Sequence, residues 1–465
     1  MIALIFFSDH SWPHASFGRV ALVAGVVGLA YTPRFARTVF GNDATVIRAG
    51  FRVGYDEVFN NIPANMGLNP PYSLTTNQTA FVTQAGKFPW AIGYNQSVPL
   101  ISNLGKQGPG TPTSGLVSVS AEDPNIRSAY IYQYNLGIQR RLGNDFSIEA
   151  DYIGSSGHKL LLNIDVNEPY VFVADPTKRG NLAPNQQVFP YNTFSSLSMG
   201  KDIANSHYNG LVLTGKYQGR RGMFFEAWYT YGKSIDNSSS WSVPSGQPGG
   251  VADPRNLRAE YGPSNFDIRH RAVFTYVLDL PVGPGHRLFG WNNILNRELL
   301  GGWQISGITT LQSGAPFTVY NGSADFSGFN QFDDRPDVVG SGPLQQSNRN
   351  PDAAFDKTFF SATPPTGRVG TSGRDAYYGP GLANYDFAAA KIFALGERFR
   401  LQFRGDFFNL FNHTNFSNPV SNQSSANFGK IVSTVGSAVA TTVGTTAGLV
   451  GGGPRVVQFS LRLQF

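Results

Sequence analysis

The chain closes on Val457-Gln-Phe-Ser-Leu-Arg-Leu-Gln-Phe465, where apolar and polar side chains alternate without a break. Val457, Phe459, Leu461, Leu463 and Phe465 fall on one parity, and Gln458, Ser460, Arg462 and Gln464 on the other. A period of two is the side-chain repeat of a β-strand. The stretch matches the roughly 9–11 residues a tilted strand needs to cross a bilayer. Alternation alone fits an amphipathic strand of a soluble sandwich equally well. The decision therefore rests on how the pattern recurs and where its charges fall.

It recurs as pairs of segments joined by tight polar turns. Tyr134, Leu136 and Ile138 oppose Asn135, Gly137 and Gln139; after Arg141–Asp145, Phe146, Ile148, Ala150 and Tyr152 oppose Ser147, Glu149 and Asp151. A second pair turns at Ala394–Arg398, and its return sets Phe399, Leu401, Phe403 and Phe407 against Arg400, Gln402, Arg404 and Asp406. A third turns at Gln218–Gly222 and returns through Phe225, Ala227, Tyr229 and Tyr231. Ile47–Tyr55, Ile268–Leu278 and Trp303–Leu311 follow the pattern too, although Val273, Val277 and Ile308 fall on the polar parity. In the clean windows every Arg, Asp and Glu lies on the polar parity: Arg48, Arg52, Glu149, Asp151, Arg400, Arg404, Asp406 and Arg462. A slip of one residue would turn all of them outward. An Arg facing lipid near mid-membrane costs about 2–4 kcal/mol. This segregation favours an all-β, antiparallel, up-and-down transmembrane β-barrel. Arg48, Arg52, Arg400, Arg404, Asp406 and Arg462 then face a lumen, and the apolar parity faces outer-membrane lipid. The alternating terminus ending in Phe465 resembles the signal read by the bacterial barrel-assembly machinery, with Val457, Phe459, Leu461, Leu463 and Phe465 carrying it.

Composition excludes several rivals. Charged residues make up 14% of 465 and aromatics 13%, against roughly 25% charged in soluble proteins. Cysteine is absent, which removes disulfides, thiolate metal sites and cysteine nucleophiles. A net charge of +6 spread along the chain argues against a nucleic-acid partner. The longest apolar run, Val20–Tyr31, is interrupted by Gly25 and Gly28 and is shorter than the ~20 residues of a spanning helix. A membrane protein without spanning helices must be a closed barrel.

About 11 strands can be placed: 22–32, 45–56, 129–140, 145–155, 207–218, 223–234, 265–280, 301–313, 383–393, 398–409 and 455–465. Long connections rich in Gly, Pro, Asn and Ser follow the even strands, and short turns follow most odd ones. Bacterial barrels have short periplasmic turns and long extracellular loops. An odd count leaves the outermost strands parallel, whereas single-chain bacterial barrels use even numbers. The expectation is half of a 22-stranded barrel.

Longer segments carry a family resemblance. "TVIRAGFRVGYD", "YNLGIQRRLGNDFSIEADYIGSSGHKL", "SNFDIRHRAVFTYVLDLP", "LLGGWQISGITTLQSGAPFTV", "RFRLQFRGDFFNLFNHTNF" and "VVQFSLRLQF" resemble the C-terminal barrel half of Oar-like TonB-dependent outer-membrane transporters. The resemblance runs over 24–465; residues 1–23 are unassigned, or a mis-called start. It implies a 22-stranded barrel around a plug, energised by the TonB complex and often preceded by a carboxypeptidase-regulatory-like domain. Plug, TonB-contacting segment and early strands are expected to belong to a missing N-terminal half. TonB would act only through that part.

Chemistry is sparse. The histidines 10, 14, 158, 207, 270, 286 and 413 show no HExxH-type spacing. His270, between Arg269 and Arg271, reads as a rim residue. Gly283-Pro-Gly285 has Leu288 where a dinucleotide fingerprint needs its third glycine. Gly154-Ser-Ser-Gly157 lacks nucleophile-elbow spacing and reads as a loop apex. Phe332–Asp337 reads as a solvated acidic turn rather than a cation site. No catalytic, cofactor or metal residues are assigned, and no enzyme activity is expected. The expected function is substrate binding and passage across the bacterial outer membrane, with Tyr72, Trp241, Trp291, Tyr377 and Tyr378 as loop aromatics. The alternatives are a passive or adhesive outer-membrane barrel and a secreted soluble β-rich carbohydrate-binding protein.

Overall fold

The computed structural model describes residues 20–27, 30–39, 44–56, 66–67, 69, 117–168, 170–171, 187–188, 190–191, 194–219, 222–241, 251–284, 289–291, 299–322, 326–327, 334–344, 346, 350–395, 399–435 and 453–464. Within them one antiparallel meander dominates. Its strands are β1 Val20–Val27, β2 Ala30–Val39, β3 Thr45–Tyr55, β4 Tyr130–Leu142, β5 Phe146–Asp165 and β6 Phe194–Gln218. They continue as β7 Phe224–Asp236, β8 His270–Asp279, β9 Trp303–Gln312, β10 Leu382–Leu395, β11 Phe399–Phe408 and β12 Val456–Gln464. Each pairs with the next in chain order; with the short strand Val117–Glu122, parallel to β6, and Gly262–Pro263 beside β7, they form a 14-stranded sheet. The fold is all-β, as the alternation requires. Among the described residues no pairing joins β1 to β12, so the sheet has two open edges.

The strand count corrects the expected eleven. The single strand read at 22–32 is a hairpin, with Val27 opposite Ala30 and Val20 opposite Arg37. The run offers no polar residue to mark its reversal, only Gly25 and Gly28, so periodicity merged two strands into one. With twelve strands on the path, the outermost two run antiparallel and the parity conflict disappears. Long connections follow β3, β5, β7, β9 and β11 and gather at one end of the sheet, the loop end.

A second correction concerns β5 and β6, which run for 20 and 25 residues, about twice what a bilayer requires. Gly154–Gly157, read as a loop apex, lies within β5, where Gly154 pairs with Tyr134 and Gly157 with Ile131. Gly154 is needed for space rather than for a turn. A Cβ there would stand 2.2 Å from the Tyr134 ring, which lies across the glycine. By contrast, Gly143 between β4 and β5 adopts φ +68, the left-handed conformation such a tight turn demands.

Two apolar cores lie among the loop-end segments. Phe317, Val319, Phe355, Phe359, Phe360 and Phe428 form one, with Tyr377 packed against them. Leu162, Ala204 and Val251 form the other. The long loops are therefore packed structure built on the extended β5–β6 hairpin.

Gly154→Leu is predicted to destabilise the sheet by about 1–3 kcal/mol through overpacking, lowering the urea midpoint of the refolded protein. Adding Tyr134→Ser should restore most of the loss. Full stability of the single variant would contradict the packing described.

Candidate functional site: the polar face and the loop-end network

Register decides which side chains share a face. Arg48 pairs with Gly137, and Gly137 with Asp151; Arg52 pairs with Gln133. Arg400, Arg404 and Asp406 pair with Gln464, Ser460 and Gln458, and Arg462 with Gln402. All six residues expected on the polar face therefore lie on it. They form linked polar chains: Arg48 donates to Glu149 at 3.0 Å and to Gln139 at 2.5 Å, and Arg404 to Asp406 at 2.7 Å. Gln304 donates to Asp279 at 2.8 Å on the same face. Val273, Val277 and Ile308 share it, as their parity indicated.

The opposite face is apolar across β3–β12. In β12, Val457, Phe459, Leu461 and Leu463 all stand on it, with Leu461 70% and Phe459 65% exposed. Phe465 lies outside the described residues. Within β3–β12, register places the charged residues Arg140, Lys233 and Lys391 on this face; Arg140 and Lys233 lie toward strand ends, whereas Lys391 is buried and sits opposite Trp303 and Phe403. The Lys391 ammonium donates to the Gly301 carbonyl and lies over the Trp303 and Phe393 rings at 5.6 and 5.0 Å. The carbonyl and the rings, rather than hydrocarbon, surround its charge.

At the loop end, tyrosines and histidines line the rim of the apolar face. His158 lies 5.2 Å from the Tyr130 ring centroid and 5.8 Å from that of His207. The Ser156 hydroxyl bridges His158 Nε2 and His207 Nδ1 at 2.8 and 2.9 Å. His270 lies 5.0 Å from Tyr231 and shares a 2.8 Å hydrogen bond with the Tyr229 hydroxyl. Rings that are apolar in body and polar at the tip suit a boundary between water and hydrocarbon. The rim position expected for His270 is correct. His10, His14, His286 and Tyr72 lie outside the described residues.

A buried ionic network behind this rim went unread in the sequence. Each N–H of the Arg374 guanidinium finds an acceptor: Asp236 Oδ1 and carbonyl at 2.5 and 2.6 Å, Asp375 Oδ2 at 2.9 Å, Ser239 Oγ at 3.1 Å and the Glu260 carbonyl at 2.8 Å. Arg335 forms a fork with the Glu260 carboxylate at 2.7 and 3.0 Å, and Glu260 is completely buried. Burial pushes the Asp375 carboxyl above the usual carboxylate range, against the pull of Arg374. Tyr378 donates to Asp267 at 3.0 Å and accepts from Arg269, also at 3.0 Å; burial raises its hydroxyl pKa. The groups join the 237–269 and 313–381 connections. Except for the adjacent Arg374–Asp375, the pairs that cross between these connections lie 75 to 138 residues apart, so no local spacing reveals them.

Two loop expectations need correction. The acidic run is not a solvated turn: Asp334 and Arg335 are buried, while Arg368 clasps Asp337 at 2.6 and 2.8 Å and holds its carboxyl below the ordinary range. Phe332 and Asp333 lie outside the described residues. Of the loop aromatics, Tyr377 packs against the Phe317–Phe428 core, and Tyr378 bonds across to Asp267 and Arg269. Trp291, expected among the outer loops, belongs to the β8–β9 connection at the opposite end and stacks edge-on with Phe289. Trp241 is tied to β5 through a 2.7 Å bond from the Asn163 amide to its carbonyl.

A family profile described as an outer membrane beta barrel domain matches residues 23–458. Among solved structures, the chain is similar to the outer membrane transporter YddB from Escherichia coli at 8% identity and a TM-score of 0.46, covering 93% of this chain and 40% of that one. The FrpB iron transporter from Neisseria meningitidis (F3-3 variant) aligns at 9% identity and a TM-score of 0.38, covering 93% and 39%. The ferripyoverdine receptor of the outer membrane of Pseudomonas aeruginosa aligns at 10% and 0.36, covering 94% and 32%. The chain thus spans two fifths or less of these three solved chains. No curated protein matches it.

Arg374→Ala is predicted to leave Asp236 and Asp375 buried without their cation, at a cost of about 3–5 kcal/mol. Limited proteolysis should then cut the 237–269 and 313–381 connections sooner, while β10–β12 remain protected. Unchanged loop cleavage would contradict the network's role.

Proposed function

Because the chain belongs to the outer membrane beta barrel domain family, and so to the bacterial outer membrane, we propose that it forms the substrate-binding and passage wall of a transporter of the Oar-like TonB-dependent kind. The observation that carries this reading is the segregation of charge across β3–β12. One face holds linked arginines and carboxylates; the other holds aromatic and aliphatic side chains, with few basic groups, of which Lys391 is buried against a carbonyl and two rings. In a barrel the first face lines a hydrated lumen and the second meets acyl chains. Arg48, Arg52, Arg400, Arg404, Asp406 and Arg462 then supply hydrogen bonds and charge to a polar solute. The packed loops form its outer vestibule.

Substrate, plug and coupling to TonB belong to the whole protein and are part of this proposal. So are β12 as the element read by the assembly machinery and a role without catalysis.

Lysine at Phe403 or Leu461 should cost about 2–4 kcal/mol if those positions face hydrocarbon near the midplane. Refolding into phosphatidylcholine vesicles, followed by flotation, should therefore fail or weaken for Phe403→Lys and Leu461→Lys. Gln402→Lys and Gln458→Lys should insert like the parent. Equal insertion by all four would remove the membrane reading.

A further inference from the structure

A hollow of about 510 Å³ opens at the loop-end rim of the apolar face, lined by β7–β10 and the segment after β11. In register across adjacent strands, Tyr229 pairs with Ala272, Ala272 with Leu311, and Leu311 with Ala383. The two alanines flank Leu311 and leave a depression between the Tyr229 ring and the segment after β11. The loopward margin is polar and carries His270, His413 and Thr414.

The margin is held firmly. Asn409, itself buried, receives the His413 amide on Oδ1 and donates Nδ2 to the His413 carbonyl, both at 2.9 Å. Asn415 Oδ1 accepts from the Ala383 amide at 2.8 Å and shares a 3.2 Å contact with His413 Nδ1. Tyr229 engages His270 at Nδ1. Among the described residues, Nε2 of both histidines keeps no hydrogen-bond partner.

Resting on the barrel reading above, we propose that this hollow binds a phosphate-headed lipid of the surrounding leaflet. Its phosphate meets His270, His413 and Thr414, and its first methylenes lie over Ala272, Leu311 and Ala383. Polarity supports that occupant: the hollow is apolar toward the bilayer and rich in hydrogen-bonding groups toward water, the two halves of an amphiphile in their natural order. Its volume falls within the usual range for small-ligand pockets and suits a headgroup with the start of one chain. The remaining chain continues along the apolar face.

The test uses the full chain refolded into phosphatidylcholine vesicles with either of two photoactivatable probes, a phosphatidic acid or the diacylglycerol bearing the same diazirine acyl chain. Labelling is mapped by peptide mass spectrometry. The phosphatidic acid should label 270–272 and 411–416 roughly tenfold more than the diacylglycerol, the ratio expected for loss of a charge-assisted hydrogen bond. Ala383→Trp, which fills the floor, and the His270→Gln/His413→Gln pair should each abolish that preference. Labelling along Phe459 and Leu461 should stay constant in both, showing that the sheet remains in the bilayer. Equal labelling by the two probes, or a preference that survives both variants, overturns the proposal. Displacement by soluble glycerol 3-phosphate also overturns it, by assigning the site to free phosphate. If the parent chain does not float with vesicles, the barrel reading itself fails, and this inference with it.

Discussion

A strand in hydrocarbon can satisfy its peptide groups only on the next strand, and each unmet N–H or C=O costs several kcal/mol. That constraint makes a meander of strands the scaffold and leaves side-chain parity as the remaining freedom. Once one parity faces lipid, every charge must take the other, move to the margin or be shielded from hydrocarbon. The chain obeys this over its described strands. Arg48, Glu149, Arg404 and Asp406 pair on the polar face, while the buried Lys391 meets a carbonyl and two rings. The linked polar face then becomes the surface on which a passing solute can be held.

The loop end obeys a different rule. A low overall charge content has been gathered into buried forks, Arg374 with Asp236 and Asp375 and Arg335 with Glu260. Buried ion pairs contribute little net stability but are costly to break. Here they join connections distant in sequence and fix one arrangement of segments that periodicity leaves free. The phenylalanine core beneath them supplies apolar burial, as any packed domain must. The arrangement of these loops is thus set by ionic contacts between connections and by apolar packing.

How much of this was legible depends on the range of the interaction. Alternation is local, so β3–β5, β7, β11 and β12 and the face of each named arginine could be read directly. The β1–β2 hairpin was hidden because its reversal carries no polar residue, and a lone glycine within an apolar run is a weak turn signal. Gly154–Gly157 resembled a loop because glycine and serine are turn formers; only the Tyr134 ring across Gly154 explains them inside a strand. The Arg374 network, the His158–Ser156–His207 contact and the hollow over Ala272, Leu311 and Ala383 arise from register between distant segments. No spacing along the chain encodes them.

The central claim is that one parity of these strands touches lipid and the other touches water. The natural absence of cysteine allows single nitroxides to be placed at successive positions from Phe399 to Phe407 in vesicle-inserted protein, with collision rates measured against oxygen and a water-soluble nickel chelate. Oxygen accessibility should peak at Phe399, Leu401, Phe403 and Phe407, and nickel accessibility at Arg400, Gln402, Arg404 and Asp406. Profiles without a period of two, or with the two reagents exchanged, would contradict the account.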